Sequence, residues 1–111
     1  MDTLKMHVLV LCEDGIWVAQ ALEHDIAAQG SSTKEAINAL GMMILAEVRY
    51  DKIAGREPLS RIGRAPLKFW NLFGRSERVR LDRQQRAVDM ADGETGSVVN
   101  LALAESEFAF A

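Results

Sequence analysis

The chain has 111 residues, of which 49% are hydrophobic and 26% are charged, a balance typical of one globular domain and unlike that of a disordered chain. Its single cysteine excludes an intrachain disulfide framework and a paired-thiol metal site. Residues 1–55 hold four Lys/Arg and eight Asp/Glu, residues 56–86 hold nine and three, and residues 87–111 hold none and five. The basic middle segment predicts either a surface for an external anion or a basic arm folded against the protein's own acidic parts.

Three short apolar runs open the chain and predict an antiparallel meander. The runs MHVLVLC (6–12) and IWVAQAL (16–22) are β-rich, and the Asp14-Gly15 pair between them is a strong hairpin signal. The run IAAQ (26–29) predicts a third strand, which ends at a glycine.

A change to helical periodicity follows the third strand. Ser32 and Glu35 have the spacing of a capping box and predict a helix over 32–54, ended by Gly55. Residues at helical spacing predict its sheet-facing side, namely Ile37, Leu40, Ile44 and Val48, widened by Ala36, Met43 and Tyr50. Met42 and Leu45 fall outside that side and predict a homodimer interface.

The rest of the chain predicts a loop, a second helix and a late strand. Residues 56–66 contain both prolines and predict a loop, and LKFWNLFGR (67–75) has apolar residues at helical spacing and predicts a short amphipathic helix. Residues 76–92 fit a helix, a strand extension or a partly mobile segment, whereas SVVNLALAESEF (97–108) predicts a fourth strand. The predicted fold is therefore α+β, with a three- to four-stranded antiparallel sheet, one main helix on one face (β-β-β-α-β) and a short second helix.

Two short motifs within this order of elements are shared with a known family. They are the hairpin turn Glu13-Asp14-Gly15 with the aromatic Trp17, and Gln29-Gly30-Ser31-Ser32 followed by Glu35-Ala36. Over residues 7–48 the chain resembles the HicB-like antitoxin domain, which has a reduced RNase-H-like fold. The length predicts a single domain over 1–111, which would be a HicB-like domain with a basic aromatic insertion at about 56–92 before the last strand. The resemblance also implies a homodimer that masks a small, basic, toxin-like protein partner.

Acidic side chains could in principle form a nuclease site in an RNase-H-like fold, because such enzymes bind two metal ions with converging carboxylates. Here Asp25, Glu35, Glu47 and Asp51 are spread along a connector and a long helix. His24 and its neighbour Asp25 predict a solvated strand connector, since adjacent side chains usually point apart. The sequence therefore predicts a non-enzymatic protein with no catalytic, cofactor or metal site.

The strongest functional signal is the basic aromatic stretch. Its candidate partner-binding residues are Arg64, Lys68, Phe69, Trp70, Phe73 and Arg75. The rings fit burial in the protein's own core beside solvated arginines, contact with a protein partner, or stacking on nucleic acid. The leading hypothesis is a protein-interaction module, a diverged or orphan HicB-like antitoxin, that occludes a partner with its sheet edge and residues 66–75. The alternative is a nucleic-acid-binding regulator that uses residues 56–86.

The sequence also predicts where the protein resides and how exposed two residues of the first strand are. The apolar run at 6–12 is shorter than the apolar region of a signal peptide, and no segment approaches membrane-spanning length, which predicts a cytoplasmic protein without a membrane partner. Within that run, Cys12 is expected to be buried and His7 to lie on the exposed face of the strand.

Overall fold

The computed structural model describes the backbone of residues 2–79 and 99–110 and the side chains of residues 4–76. Its elements are β1 (Asp2–Glu13), β2 (Ile16–Ala21), β3 (Ala27–Gly30), α1 (Thr33–Ile53), α2 (Leu67–Arg75), β4 (Glu77–Val79) and β5 (Val99–Phe110). The described strands form one sheet in the order β3-β2-β1-β5-β4, antiparallel except that β4 runs parallel to β5. The α+β class, the main helix on one face and the short second helix are confirmed. The sheet also contains β4, which the sequence analysis did not predict as a separate strand, because three residues are too few to show the alternation of apolar and polar side chains. Of residues 76–92, for which three alternatives were open, residues 80–92 lie outside the described residues.

The β1–β2 hairpin forms at the predicted Asp-Gly turn. Asp14 and Gly15 both have positive φ, 53° and 79°, as a type I′ turn requires. Glu13 pairs with Ile16 directly across this turn. The register places alternate residues of β1 on opposite faces of the sheet, because side chains alternate along a strand.

Helix α1 begins and ends close to the predicted residues. The Ser32 hydroxyl accepts a hydrogen bond from the Glu35 backbone N–H at 3.0 Å. The Glu35 carboxylate accepts from the Ser31 hydroxyl at 2.6 Å, instead of returning to the backbone N–H of Ser32 as in a complete capping box. Beyond the helix, Gly55 adopts the left-handed φ of 74° that is common just after a helix C-terminus.

One side of α1 packs on the first face of the sheet. Leu40, Ile44 and Val48 are buried there against alternate residues of β1 and β2. The prediction that Met43 and Tyr50 widen this side is wrong, since they are 44% and 57% exposed. Both lie about 90° around the helix from the centre of the buried side, which runs between Leu40 and Ile44.

Helix α2 packs on the opposite face of the sheet. The cluster on that face contains Leu9, Leu22, Ala65 and Phe73, with Leu11, Phe69, Trp70 and Leu72 packed around it. Strand β1 is therefore covered on both sides, with Val8 and Val10 toward α1 and Leu9 toward α2. The unbroken apolar run of β1 is typical of a strand buried on both faces.

Gly30, the last residue of β3, lies where the sheet meets the first turn of α1. A Cβ atom added there would lie 2.5 Å from the backbone N of Ala36 and 2.9 Å from the carbonyl carbon of Glu35. Its φ is not in the left-handed region. A glycine is therefore required here by the close approach of two backbones and not by a left-handed backbone conformation.

Candidate interaction surface around the second helix

The loop between the two helices is organised by a buried carboxylate, Asp51, in the last turns of α1. Asp51 is fully buried and accepts hydrogen bonds from the Leu59 backbone N–H at 2.8 Å, Arg61 Nε at 2.5 Å and Arg56 Nε at 3.2 Å. The bond from Arg61 makes the largest contribution to holding the pKa of Asp51 below its ordinary value, against the opposing effect of burial. Leu59, which adopts a positive φ of 63°, is held with its side chain in the core.

The two arginines of this cluster form ion pairs with carboxylates of α1. Arg61 also donates to the Glu47 carboxylate at 2.5 Å, and its hydrogen bonds with Asp51 and then Glu47 raise the pKa of the guanidinium. The guanidinium carbons of Arg56 and Arg61 lie 5.1 Å and 4.8 Å from the centroid of the Tyr50 ring. These two cations therefore neutralise the protein's own carboxylates, as the folded-arm interpretation of the basic segment expects.

The loop between α1 and α2 is also hydrogen-bonded to the segment that connects β2 and β3. The Asp25 backbone N–H donates to the Gly63 carbonyl at 2.8 Å, and His24 Nδ1 lies 2.8 Å from the Ile62 carbonyl oxygen. His24 is half-buried, so the prediction of a solvated connector is corrected for this side chain. Its partner lies 38 residues away along the chain, so no local pattern identifies the contact.

A set of cations and rings lies on and just before α2, and it is called here the cationic–aromatic surface. It comprises Arg64, Lys68, Phe69, Trp70 and Arg75. The Arg64 guanidinium carbon lies 4.2 Å from the Trp70 ring centroid, and Lys68 Nζ lies 5.0 Å from the Phe69 centroid. The three cations are exposed, and the two rings are half-buried against the second face of the sheet. The structure thus pairs Arg64 with Trp70 and Lys68 with Phe69, and these four residues with Arg75 are five of the six predicted partner-binding residues.

Phe73, the sixth predicted partner-binding residue, lies beneath this surface. Its side chain is only 5% exposed and belongs to the second cluster of the core. Its ring stabilises the attachment of α2 to the sheet, as the core interpretation of the rings expects.

A shallow groove of about 460 Å³ opens beside Trp70, lined also by Asn71, Gly74 and Arg75. A Cβ atom added at Gly74 would meet nothing within 4 Å, so this wall of the groove is open. Within residues 4–76, no carboxylate forms an ion pair with Arg64, Lys68 or Arg75. The groove therefore joins an aromatic wall to a cation without a described partner.

His7 and Glu23 support Trp70 from the sheet side. Glu23 accepts from the His7 backbone N–H at 2.8 Å, and its second oxygen lies 2.6 Å from His7 Nδ1. The His7 ring meets Phe73 edge-on at 5.3 Å and lies 6.1 Å from Trp70. His7 lies where the register of β1 with β5 shifts, and the expectation that it is exposed on the strand is corrected to a half-buried position.

The predicted dimer residues lie elsewhere, on α1. Met42 is 72% exposed, whereas Leu45 is half-buried and packs against the core between α1 and the sheet. At one end of α1, Ile53 is 88% exposed. The outward side of α1 therefore carries exposed apolar side chains that are separate from the cationic–aromatic surface.

Comparisons with known proteins leave the resemblance as a prediction. Searches of protein-family models, curated proteins and solved structures give no significant match to the chain. Among the residues with described side chains, no three His, Cys, Asp or Glu residues are grouped so that they could hold a metal ion. Neither described helix has both the length and the apolar character needed to cross a bilayer.

Proposed function

We propose that the protein is a non-enzymatic protein-interaction module that acts by covering a surface of a partner protein. The cationic–aromatic surface carries this proposal, because Trp and Arg are the side chains most enriched at binding hot spots. Arg64 stacked on Trp70 places both types in one exposed contact. The Trp70 ring is half-buried, so its exposed part offers apolar area to a partner while the rest packs against the core.

The surface is held in one shape before any partner arrives. Asp51 fixes the loop that precedes α2, and the connector holds that loop through Gly63. Phe73 attaches α2 itself to the sheet. A preorganised surface loses less conformational entropy on association, which favours binding.

Nucleic acid is the second candidate for the same surface. Of the five Arg/Lys between residues 54 and 76, Arg56 and Arg61 are engaged by α1, which leaves Arg64, Lys68 and Arg75. Helix α2 has nine residues and is about 13 Å long, whereas phosphate-backbone binding commonly uses about six to ten contacts spread along a strand. Among the described side chains, a short surface that combines two rings with three cations favours a protein partner; Arg78, Arg80, Arg83 and Arg86 of the 56–86 segment lie outside the described side chains.

A HicB-like role remains part of the proposal and uses other surfaces. A small basic, toxin-like partner would be repelled by the cationic–aromatic surface, but the β1–β2 turn is acidic. There Glu13 and Asp14 border an apolar groove of about 330 Å³ formed with Leu11, Ile16 and Val18. The edge strand β3 offers a second route for such a partner, through backbone pairing.

A homodimer and a cytoplasmic location also belong to the proposal. The exposed Met42 and Ile53 support self-association through the outward side of α1. The lone cysteine, Cys12, is buried in β1, which is compatible with a reducing compartment. Light scattering at micromolar protein should give twice the chain mass, and a lower mass for Met42→Lys.

The proposed function is tested by affinity purification of the tagged full-length protein from its own cells. The test variant replaces Arg64, Lys68 and Arg75 with alanine. We expect wild-type protein to retain one partner at near-equimolar amounts, identified by mass spectrometry, and the triple variant to lose it. The absence of an equimolar protein partner of the wild type would overturn the proposal.

A matched control variant distinguishes the loss of the cationic–aromatic surface from the loss of positive charge in general. Lys34, Arg49 and Lys52 are exposed on α1, and their replacement by alanine removes the same charge from another surface. This control should retain the partner. Loss of the partner from both triple variants would contradict a specific role for α2. Binding of single-stranded RNA that weakens steeply with salt, together with no protein partner, would favour the nucleic-acid alternative.

A further inference from the structure

We propose that the cationic–aromatic surface takes an acidic segment of a partner protein, in which two or three carboxylates flank one apolar anchor. The inference rests on the proposed function and specifies the chemistry of its partner. It differs from the basic partner that the HicB-like resemblance implies, and the charges on α2 are the reason.

The charge of the surface selects the occupant. Arg64, Lys68 and Arg75 are exposed and have no carboxylate partner among the described side chains, whereas nearby Arg56 and Arg61 are neutralised by Asp51 and Glu47. Like charges placed together across an interface oppose association. The surface therefore favours a partner segment that brings carboxylates.

The position of Arg64 over the Trp70 ring also favours a carboxylate as its partner. The Arg64 guanidinium lies over the Trp70 ring and is exposed, and a planar guanidinium matches the two oxygens of a carboxylate. Because the ring limits the rotation of the guanidinium, less side-chain entropy remains to be lost on binding. Lys68, beside Phe69, provides a further cation on the same helix, two residues before Trp70.

The groove beside Trp70 supplies the place for the anchor. It is bounded by the indole ring, by Gly74 with its open space, and by Arg75 at its rim. An apolar side chain entering it would contact the ring while flanking carboxylates reach Arg64 and Arg75. This arrangement of a central apolar anchor and a charged rim is common in protein interfaces.

The test uses a fluorescently labelled, capped peptide with one leucine flanked by aspartates and glutamates, and a matched peptide with lysines in place of the acidic residues. We expect the full-length protein to bind the acidic peptide at least about tenfold more tightly than the lysine peptide in anisotropy titrations. Raising NaCl from about 50 mM to about 500 mM should weaken binding several-fold, because exposed charge pairs are screened.

Variants assign the binding to this surface. Arg64→Ala should weaken the acidic peptide about five- to tenfold, and Arg64→Lys should recover only part of the loss because lysine lacks the planar edge. Arg49→Ala removes an exposed cation from α1 and should stay within about twofold of wild type. Equal affinity for the two peptides, or equal loss with Arg64→Ala and Arg49→Ala, would overturn the proposal.

The outcomes also separate this inference from the proposed function. If affinity purification yields a partner that requires the α2 cations but the acidic peptide does not bind, the partner's chemistry is wrong and the interaction module stands. If neither a partner nor peptide binding is found, both proposals fail. Tighter binding of a single-stranded RNA than of the acidic peptide would overturn the protein-segment assignment.

Discussion

Substitution of Gly30 by alanine tests the close approach of β3 to the first turn of α1. The new Cβ would lie 2.5 Å from the backbone N of Ala36, and an ordinary contact is about 3.5 Å, so β3 or α1 must shift by about 1 Å. Ala36 is fully buried and the first turn of α1 is held by the Ser32 cap, so neither side moves freely. Overpacking of this kind costs about 1–3 kcal/mol, and contact with backbone favours the upper end.

The net change in the free energy of unfolding also includes an effect of the substitution on the unfolded chain. Alanine reduces the entropy of the unfolded state and thereby offsets about 0.4–1 kcal/mol of the cost. Gly30→Ala should therefore lower the free energy of unfolding by about 2 kcal/mol, which at an m-value of about 2 kcal/mol/M lowers the urea midpoint by about 1 M. Far-UV circular dichroism during urea titration measures this midpoint.

Gly63 provides the matched control for this substitution. A Cβ atom there meets nothing within 4 Å, and the φ of Gly63 is not in the left-handed region. Gly63→Ala should leave the urea midpoint unchanged or raise it slightly, because only the unfolded-state effect remains. A Gly30→Ala midpoint equal to wild type, or an equal fall for both variants, would refute the close-approach argument.

Two further predictions concern the Asp51 cluster and the α1 cap. The pKa of Asp51 is lower in the folded protein than its ordinary 3.8, so its ionisation stabilises the fold above that pH and the contribution is lost as pH falls. Asp51→Asn should lower the urea midpoint at pH 7 and reduce its decline between about pH 5 and pH 3, whereas parallel pH curves for the two proteins would contradict this. Ser32→Ala should cost about 1 kcal/mol in urea unfolding through loss of the cap, and Ser31→Ala less than about 0.5 kcal/mol; equal costs would show that the cap is not specific to Ser32.

Features decided by neighbours a few residues apart were predictable from the sequence. The Asp14-Gly15 turn and the Ser32 cap are of this kind, because the partner atoms lie within four residues of one another. The sheet-facing side of α1 was also predictable, apart from Met43 and Tyr50, because the width of that side depends on how far the sheet extends.

Features that join distant parts of the chain were not predictable. His7 and Glu23 are 16 residues apart, and nothing in either local pattern indicates that one carboxylate binds both the backbone and the ring of the histidine. In the sequence, Asp51 is one of several acidic residues spread along the chain. Its burial depends on the loop that brings Arg61 to it, so no local pattern indicates it. The position of α2 had one usable signal, the unbroken apolar run of β1, because a strand covered on one face only would alternate with polar residues.

The placement of β1 in the sheet has a consequence for the order of folding. β1 pairs on one side with β2, which follows it after a two-residue turn, and on the other with β5, so that Cys12 lies opposite Val99 and Asp2 opposite Phe110. The first pairing joins strands that are adjacent in the sequence, but the second must wait until β5, which begins at Val99, has been synthesised. Contacts of such long sequence separation close large loops and slow folding. Until β5 arrives, one edge of β1 lacks its final partner, and this nascent stage is when the chain is most exposed to aggregation.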